Sequence, residues 1–272
     1  MLYRDHVPVD GVLVGVVETM FYLAGYDAEH RHERIVPDGS INLVIELDGR
    51  PRNVCDNDTK APRQRCEGSW LSGLHTAPIT IETVPQTRLL AVRMSPGQAA
   101  PIVGRTVEGL ADRVTPGAEI FGDAIATLRQ RLVDADDPDA ALAIATAWLT
   151  DRFDSSLRPP PWLTGAIAAL VETPDVNTLA EVLSASGHSQ RHFIRVFRAH
   201  VGVRPKQFQR ILRFQAVINK VHEQQQVQWA QVAAECGYSD QSHLIRDFAH
   251  FSGYRPQRFL GEEHDRLNFF PE

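Results

Sequence analysis

Between His188 and Lys220 eight basic side chains, Arg191, Arg195, Arg198, Arg204, Lys206, Arg210, Arg213 and Lys220, occur without one acidic residue. His188, His192 and His200 share the window. Cations at this density attract polyanions, but they also form solvated helix faces, and the block alone leaves both readings open. Repetition separates them. The stretch Phe193-Ile194-Arg195-x-Phe197, followed by Gly202, Arg204, Pro205 and Phe208, returns 51 residues later as Leu244-Ile245-Arg246-x-Phe248, followed by Gly253, Arg255, Pro256 and Phe259. Seven identities at matching positions mark one supersecondary unit present twice, which is too few copies for a solenoid.

Other residue types that could do chemistry are less organised. His30-x-His32-Glu33, with His75, offers imidazole and carboxylate ligands, but HxH without supporting spacing reads as surface histidines rather than a closed metal site. Cys55 and Cys66 lack the CxxC spacing of structural zinc, and with Cys236 they read as unpaired thiols of a reducing compartment. No GxSxG, P-loop or post-strand GxGxxG occurs, so no catalytic residue, metal or cofactor is expected.

The repeated unit predicts its own positioning elements. Val232–Glu235 ends a helix near Gly237, a residue suited to a left-handed closing position, and Ser239 is expected to cap a helix reaching Phe251. In the first copy Val182-Leu183, Gly187 and Ser189 play the same parts. Phe193 and Phe197, like Leu244 and Phe248, are four apart and face inward. Helix, glycine-containing turn and capped second helix make a helix-turn-helix. The outward positions Arg191, Ile194, Arg195 and Arg198, and Gln241, Ser242, Ile245 and Arg246, then hold groups that can meet nucleic acid. Arginine can grip a guanine edge bidentately, and Ser189, Gln190 and Ser239 can reach bases or phosphates near the caps. The expected partner is double-stranded DNA.

These motifs, Ser189-x3-Phe193-x-Arg195-x-Phe197, Gly202-x2-Pro205-x2-Phe208, Cys236-Gly-Tyr-Ser-Asp-Gln-Ser-His-Leu-Ile-Arg246-Asp-Phe248 and Gly253-x2-Pro256-x2-Phe259, resemble the DNA-binding domain of AraC/XylS-type transcription regulators over about 100 residues. The resemblance implies two helix-turn-helix units joined by a long helix, here Lys206 to His222, and base contacts from Arg191, Ile194, Arg195, Gln241, Ser242 and Arg246. Val182-Leu183 stands where the family usually has Leu-Ala, a departure that alters packing rather than function. Pro37-Asp38-Gly39-Ser-Ile-Asn-Leu-Val-Ile and Leu90-Ala-Val-Arg93-Met-Ser-Pro96-Gly97 resemble, more weakly, the β-rich domain of some members. That domain senses a small molecule, dimerises, or both. Trp70, Phe21, Tyr22 and Tyr26 are aromatic candidates for a pocket.

The remaining chain must carry these units. Residues 1–155 hold 15 Lys/Arg and 23 Asp/Glu, a net −8, against 13 and 11, a net +2, in residues 156–272. Pro159-Pro160-Pro161 stiffens a spacer between them. The expected architecture is α+β: a barrel-like β-rich domain with a helical pair over 1–154, a proline-rich linker over 155–161, and an all-α domain over 162–272. Strands are predicted at Val12–Val17, Ile41–Leu47, Trp70–His75, Ile79–Val84 and Arg88–Met94, and helices at Ile120–Val133 and Ala140–Phe153, the latter capped by Asp139.

With 272 residues, 23% of them charged, and no apolar run approaching the roughly 18 residues of a spanning helix, the chain reads as cytoplasmic, without membrane contact. The stretch from Gly11 to Ala24 is broken by Glu18 and lacks a basic lead, so it does not read as a signal peptide. Two functions follow. One is a ligand-modulated transcription regulator, possible partners being a small-molecule effector, a second copy of the chain and, for an activator, RNA polymerase. The other is an enzyme, such as a DNA-repair alkyltransferase, fused to the same module; that would need four metal-binding cysteines and a reactive thiol.

Overall fold

The computed structural model describes residues 1–174, 176–222, 227–259 and 268–272. Eleven strands are formed by the described residues: β1 Leu2–His6, β2 Val17–Tyr26, β3 His32–Ile35, β4 Ile41–Glu46, β5 Arg52–Cys55, β6 Pro62–Cys66, β7 Ser69–Ser72, β8 Ile79–Glu82, β9 Thr87–Met94, β10 Val114–Pro116 and β11 Phe269–Pro271. They build two antiparallel sheets, β1-β2-β9-β4-β7-β10 and β11-β3-β8-β5-β6, rather than a closed barrel. The alternation of side chains decides what each face does. In the first sheet the cross-strand row Met20–Val92–Leu43–Leu71 is almost wholly buried. Helices α1 Ala100–Val103, α2 Gly117–Phe121, α3 Ala124–Val133 and α4 Pro138–Arg152 cover this side, with Leu128, Leu132, Ala141 and Ala145 in the same core. At Gly117 the approach is so close that a Cβ would collide with Ser69 Oγ.

Several expectations need correction. Val12–Val17 is not a strand: Gly11 and Gly15 both adopt φ +73°, and the resulting turns delay β2 until Val17. The single helix predicted over 120–133 is two, separated at Gly122, whose φ of 62° and ψ of −151° an L side chain avoids. Asp137 caps α4 by accepting from Ala140 N at 2.8 Å, in place of Asp139, which lies inside the first turn beside Pro138.

After a 3₁₀ turn at Ser155–Leu157, the second half is helical: α5 Pro161–Glu172, α6 Val176–Ala185, α7 Gln190–Val201, α8 Pro205–Val221, α9 Trp229–Glu235, α10 Gln241–Ser252 and α11 Pro256–Phe259. Its core is aromatic. Phe193, Phe197 and Phe208 are at most 1% exposed, as are Phe214, Phe248, Phe251 and Phe259. Phe197 meets Phe208 edge-on at 5.7 Å, and Phe214 meets Phe248 at 5.3 Å.

Among the described residues the two halves touch in several places, three of which bear on the second half's helices. Val107 N donates to Ala199 O at 2.8 Å, and Glu108 pairs with Arg198 at 2.7 Å. Gln215 on α8 donates to Pro37 O at 2.6 Å, while Gly39 at φ +82° lets Phe208 approach; a Cβ there would lie 3.1 Å from its ring. Third, β11 is added to the edge of the second sheet, against β3, in the register Phe269↔Ile35, Phe270↔Arg34, Pro271↔Glu33.

Candidate functional site: a nucleic-acid interface

Two copies of one arrangement occupy the second half. In the first, α6 is followed by Gly187 at φ +68°, and Ser189 Oγ accepts from His192 N at 3.3 Å to cap α7. In the second, α9 is followed by Gly237 at φ +73°, and the cap of α10 is Asp240, accepting from His243 N at 2.8 Å. The expected cap Ser239 instead donates to the Asp240 carboxylate at 3.1 Å. Carboxylate at a helix N-terminus also answers the helix dipole. The His243 amide and the Ser239 hydroxyl hold the Asp240 carboxyl below its usual range. Both α7 and α10 end on left-handed glycines, Gly202 and Gly253, whose amides bond to Arg198 O and Ala249 O.

The inward sides are buried and largely apolar; the outward sides carry the predicted contact groups. Ser189, Gln190, Arg191 and Arg195 are exposed, with Ile194 half-buried between them. Ser239, Gln241, Ser242 and Arg246 are exposed in the second unit, and Ile245 is half-buried. Arg195 meets His192 Nδ1 at 3.2 Å. Arg198 is the member already engaged, through Glu108 of the first half.

The basic block divides in a way its sequence does not show. Arg191, Arg195, Arg204 and Lys206 are exposed cations. Arg210 instead grips Asp247 of α10 with two bonds, 2.8 and 3.3 Å, and lies over the Phe251 ring. Arg213 is 4% exposed, donates to Gly237 O at 3.2 Å and stacks on Tyr238. Lys220 pairs with Glu235 of α9. These three cations fasten the second unit to α8, so the block is part exposed surface and part internal clamp.

The first half holds a second feature. The rows opposite the helices, Phe21–Ala91–Val44–Trp70 and Thr19–Arg93–Asn42–Ser72, face the other sheet. From that sheet Ile35, Ile79, Ile81 and Val54 lie on the face shared with Glu33, which accepts from Tyr26 OH at 2.6 Å, and with Gln64, which reaches Val114 O at 2.7 Å. Phe21, Val44, Trp70, Ile35, Ile79, Ile81 and Val54 are all half-buried and outside the closed core. Of the aromatics singled out from sequence, Phe21 and Trp70 are in this space, Tyr26 holds Glu33 at its edge, and Tyr22 points to the helix side, where it accepts from Arg88.

The remaining candidates do not converge. His30 bonds Glu33 at 3.2 Å, His75 bonds Ser72 Oγ at 2.9 Å, and among the described residues no three His, Cys, Asp or Glu side chains are placed to share a metal. Cys55, Cys66 and Cys236 are buried free thiols. Burial pushes all three thiols up, Cys66 to about 11, the opposite of what a nucleophilic thiolate requires.

The helix-turn-helix domain family matches residues 179–262, and a domain of unknown function, DUF6597, matches residues 6–116. An uncharacterised helix-turn-helix-type transcriptional regulator of Haemophilus influenzae is 28% identical over 101 residues, which are 36% of this chain and 33% of that protein. The chain thus spans about a third of the length of that curated relative. Among solved structures, ToxT from Vibrio cholerae aligns over 95% of this chain and 98% of its own at 11% identity, TM-score 0.47. ToxT with a bound unsaturated fatty acid aligns over 88% and 94% at 10% identity, TM-score 0.44.

Proposed function

We propose that this chain, which carries a helix-turn-helix domain of the AraC/XylS type at residues 179–262, is a sequence-specific DNA-binding transcription regulator. The observation that carries the reading is the duplicated capped helix: α7 and α10 each rest on a buried aromatic seat and present polar, hydrogen-bonding groups outward. In this mechanism the exposed cations capture the phosphate backbone, and the two helices enter adjacent major grooves about 34 Å, or about 10 bp, apart. Arg191, Ile194 and Arg195 read one box, with Arg198 beside them; Gln241, Ser242, Ile245 and Arg246 read the other. Ser189, Gln190 and Ser239 meet the backbone near the helix starts. Because the readers differ, the site is asymmetric.

Residues 1–154 form the regulatory part in this reading, 155–161 the connection and 162–272 the DNA-binding part. A small molecule bound by the first half is the effector; the half-buried Phe21, Val44, Val54 and Trp70 are apolar side chains available to it. The setting is the cytoplasm; a second copy of the chain and, for an activator, RNA polymerase are its protein partners. Selection of bound duplexes from a random pool, followed by footprinting, tests the DNA reading. Two unlike boxes are expected, Arg195→Ala relaxing one and Arg246→Ala the other, each by about 1–3 kcal/mol. Protection of a single box, indifferent to Arg246→Ala, would remove the two-groove mechanism.

A further inference from the structure

The strand β11 has a side chain in each half of the protein. Phe270 is fully buried on the helical side, 5.2 Å from the Phe259 ring and 6.2 Å from Tyr254. Phe269 and Pro271, one residue to either side, must point the other way, onto the face that carries Ile35 and Glu33. Beyond the strand, the Glu272 carboxylate is 8% exposed and bonds Arg34 at 2.7 Å, together with Lys60, the Tyr254 hydroxyl and Thr80. Arg34 in turn donates to Ser252 O at the end of α10, donates to Asn57 O, and stacks on Tyr254 at 4.6 Å. Gly253 leaves the room for this; a Cβ there would collide with the guanidinium.

We propose that β11 with Glu272 is a latch that holds the second helix-turn-helix unit on the second sheet, and that the latched form binds DNA more weakly than the released form. The inference rests on the DNA-binding reading above. Three observations carry it. Latching fixes the end of α10 to β3 while Glu108 and Val107 pin α7, so neither reading helix can adjust to the duplex. It keeps Arg198 on the Glu108 carboxylate, part of a half whose formal net charge is −8. The latch is also short: β11 has three residues and pairs on one side only, with β3, so its hold on the sheet rests on Phe270 and Glu272.

The ladder geometry supplies the test. His32 and Glu272 exchange both backbone bonds, so Ile35 and Phe269, three positions along, form a non-hydrogen-bonded pair, where side chains stand closest. Cysteines there, Ile35→Cys with Phe269→Cys, fall within disulfide reach in the full chain, and the three native thiols are buried. Affinity for the selected duplex is measured by fluorescence anisotropy before and after oxidation, with each single variant as control. The disulfide should form readily; the oxidised protein should bind at least tenfold more weakly than the reduced one. Glu272→Gln, which loosens the latch and leaves Phe270 packing intact, should bind tighter than the parent, about threefold. Failure of the disulfide to form, or equal affinity in both redox states, overturns the latch while leaving DNA binding intact. Absence of binding in every form, the reduced and parent proteins included, overturns the DNA reading and the latch with it.

Discussion

Replacing Arg210 and replacing Arg195 should have opposite signatures, although both belong to one uninterrupted basic block. Arg210→Ala strands Asp247, a carboxylate 4% exposed that otherwise has the His243 ring at 3.8 Å. Removing one partner of a buried pair costs about 3–5 kcal/mol, and the 28% exposure of the Arg210 side chain places this case near the lower end, about 3 kcal/mol. For a chain of this size that corresponds to a fall in Tm of about 6–12 °C. Arg195 is exposed and, among the described residues, bonds His192, so Arg195→Ala should leave Tm within about 1 °C. For DNA the order reverses. Eight cations remain outward or reach outward, Arg191, Arg195, Arg198, Arg204, Lys206, Arg246, Arg255 and Arg258, and neutralising about five to eight phosphates gives a slope of log K against log salt of roughly −4 to −7. Arg210→Ala, measured below its melting transition, should keep that slope, whereas Arg195→Ala should cut affinity about 5–150-fold and blur one box. Thermal melts and salt titrations of both variants decide it. If Arg210→Ala melts like the parent and flattens the slope by about one, the division of the block into surface and clamp is wrong.

Three further outcomes are expected. Glu108→Gln frees Arg198 and removes a negative charge beside the duplex; affinity should rise about two- to fivefold at low salt and the gain should shrink at high salt, as titration will show. Burial holds the His75 imidazole below its usual value, so the folded state binds its proton less readily than the unfolded chain. His75 therefore contributes stability above about pH 6.5 that is lost as pH falls through the folded value, and His75→Gln should flatten the acid side of a Tm–pH curve. Cys66, raised to about 11, should resist a thiol reagent at pH 8 in the native protein and react at once in denaturant.

The sequence made the second half readable because its signals are local: aromatic pairs four apart, glycines at fixed offsets, a 51-residue echo. The echo even held the right cap, since Asp240 stands 51 residues after Ser189; attention to Ser239 as a residue type overrode it. The first half was legible in β4, β8 and β9, whose strands are apolar, and illegible in β1 and β6; in the second half β11 was illegible too. Pro62-Arg63-Gln64-Arg65-Cys66 forms a sheet edge exposed on most of its length, so no hydrophobic alternation marks it. The fates of Arg210, Arg213 and Lys220 depend on Asp247, Gly237 and Glu235, residues brought close by α8, and no window of sequence contains both partners.

The pairing of β11 with β3 joins residues more than 230 positions apart. During folding the edge of the second sheet stays bare until the helical units are made and positioned, and closing so long a loop slows the step that covers it. Any form of the chain in which β11 is undocked exposes an open β-edge, a template for pairing between chains. Pro271 bears on that hazard once the strand is docked: it sits at a non-hydrogen-bonded position, so its missing N–H falls on the outer side, where another strand would need a donor. The strand that ties the halves together also finishes the sheet with an edge that accepts no further neighbour readily, and expression at high temperature, where docking loses to encounter between chains, is the condition under which this protein should aggregate first.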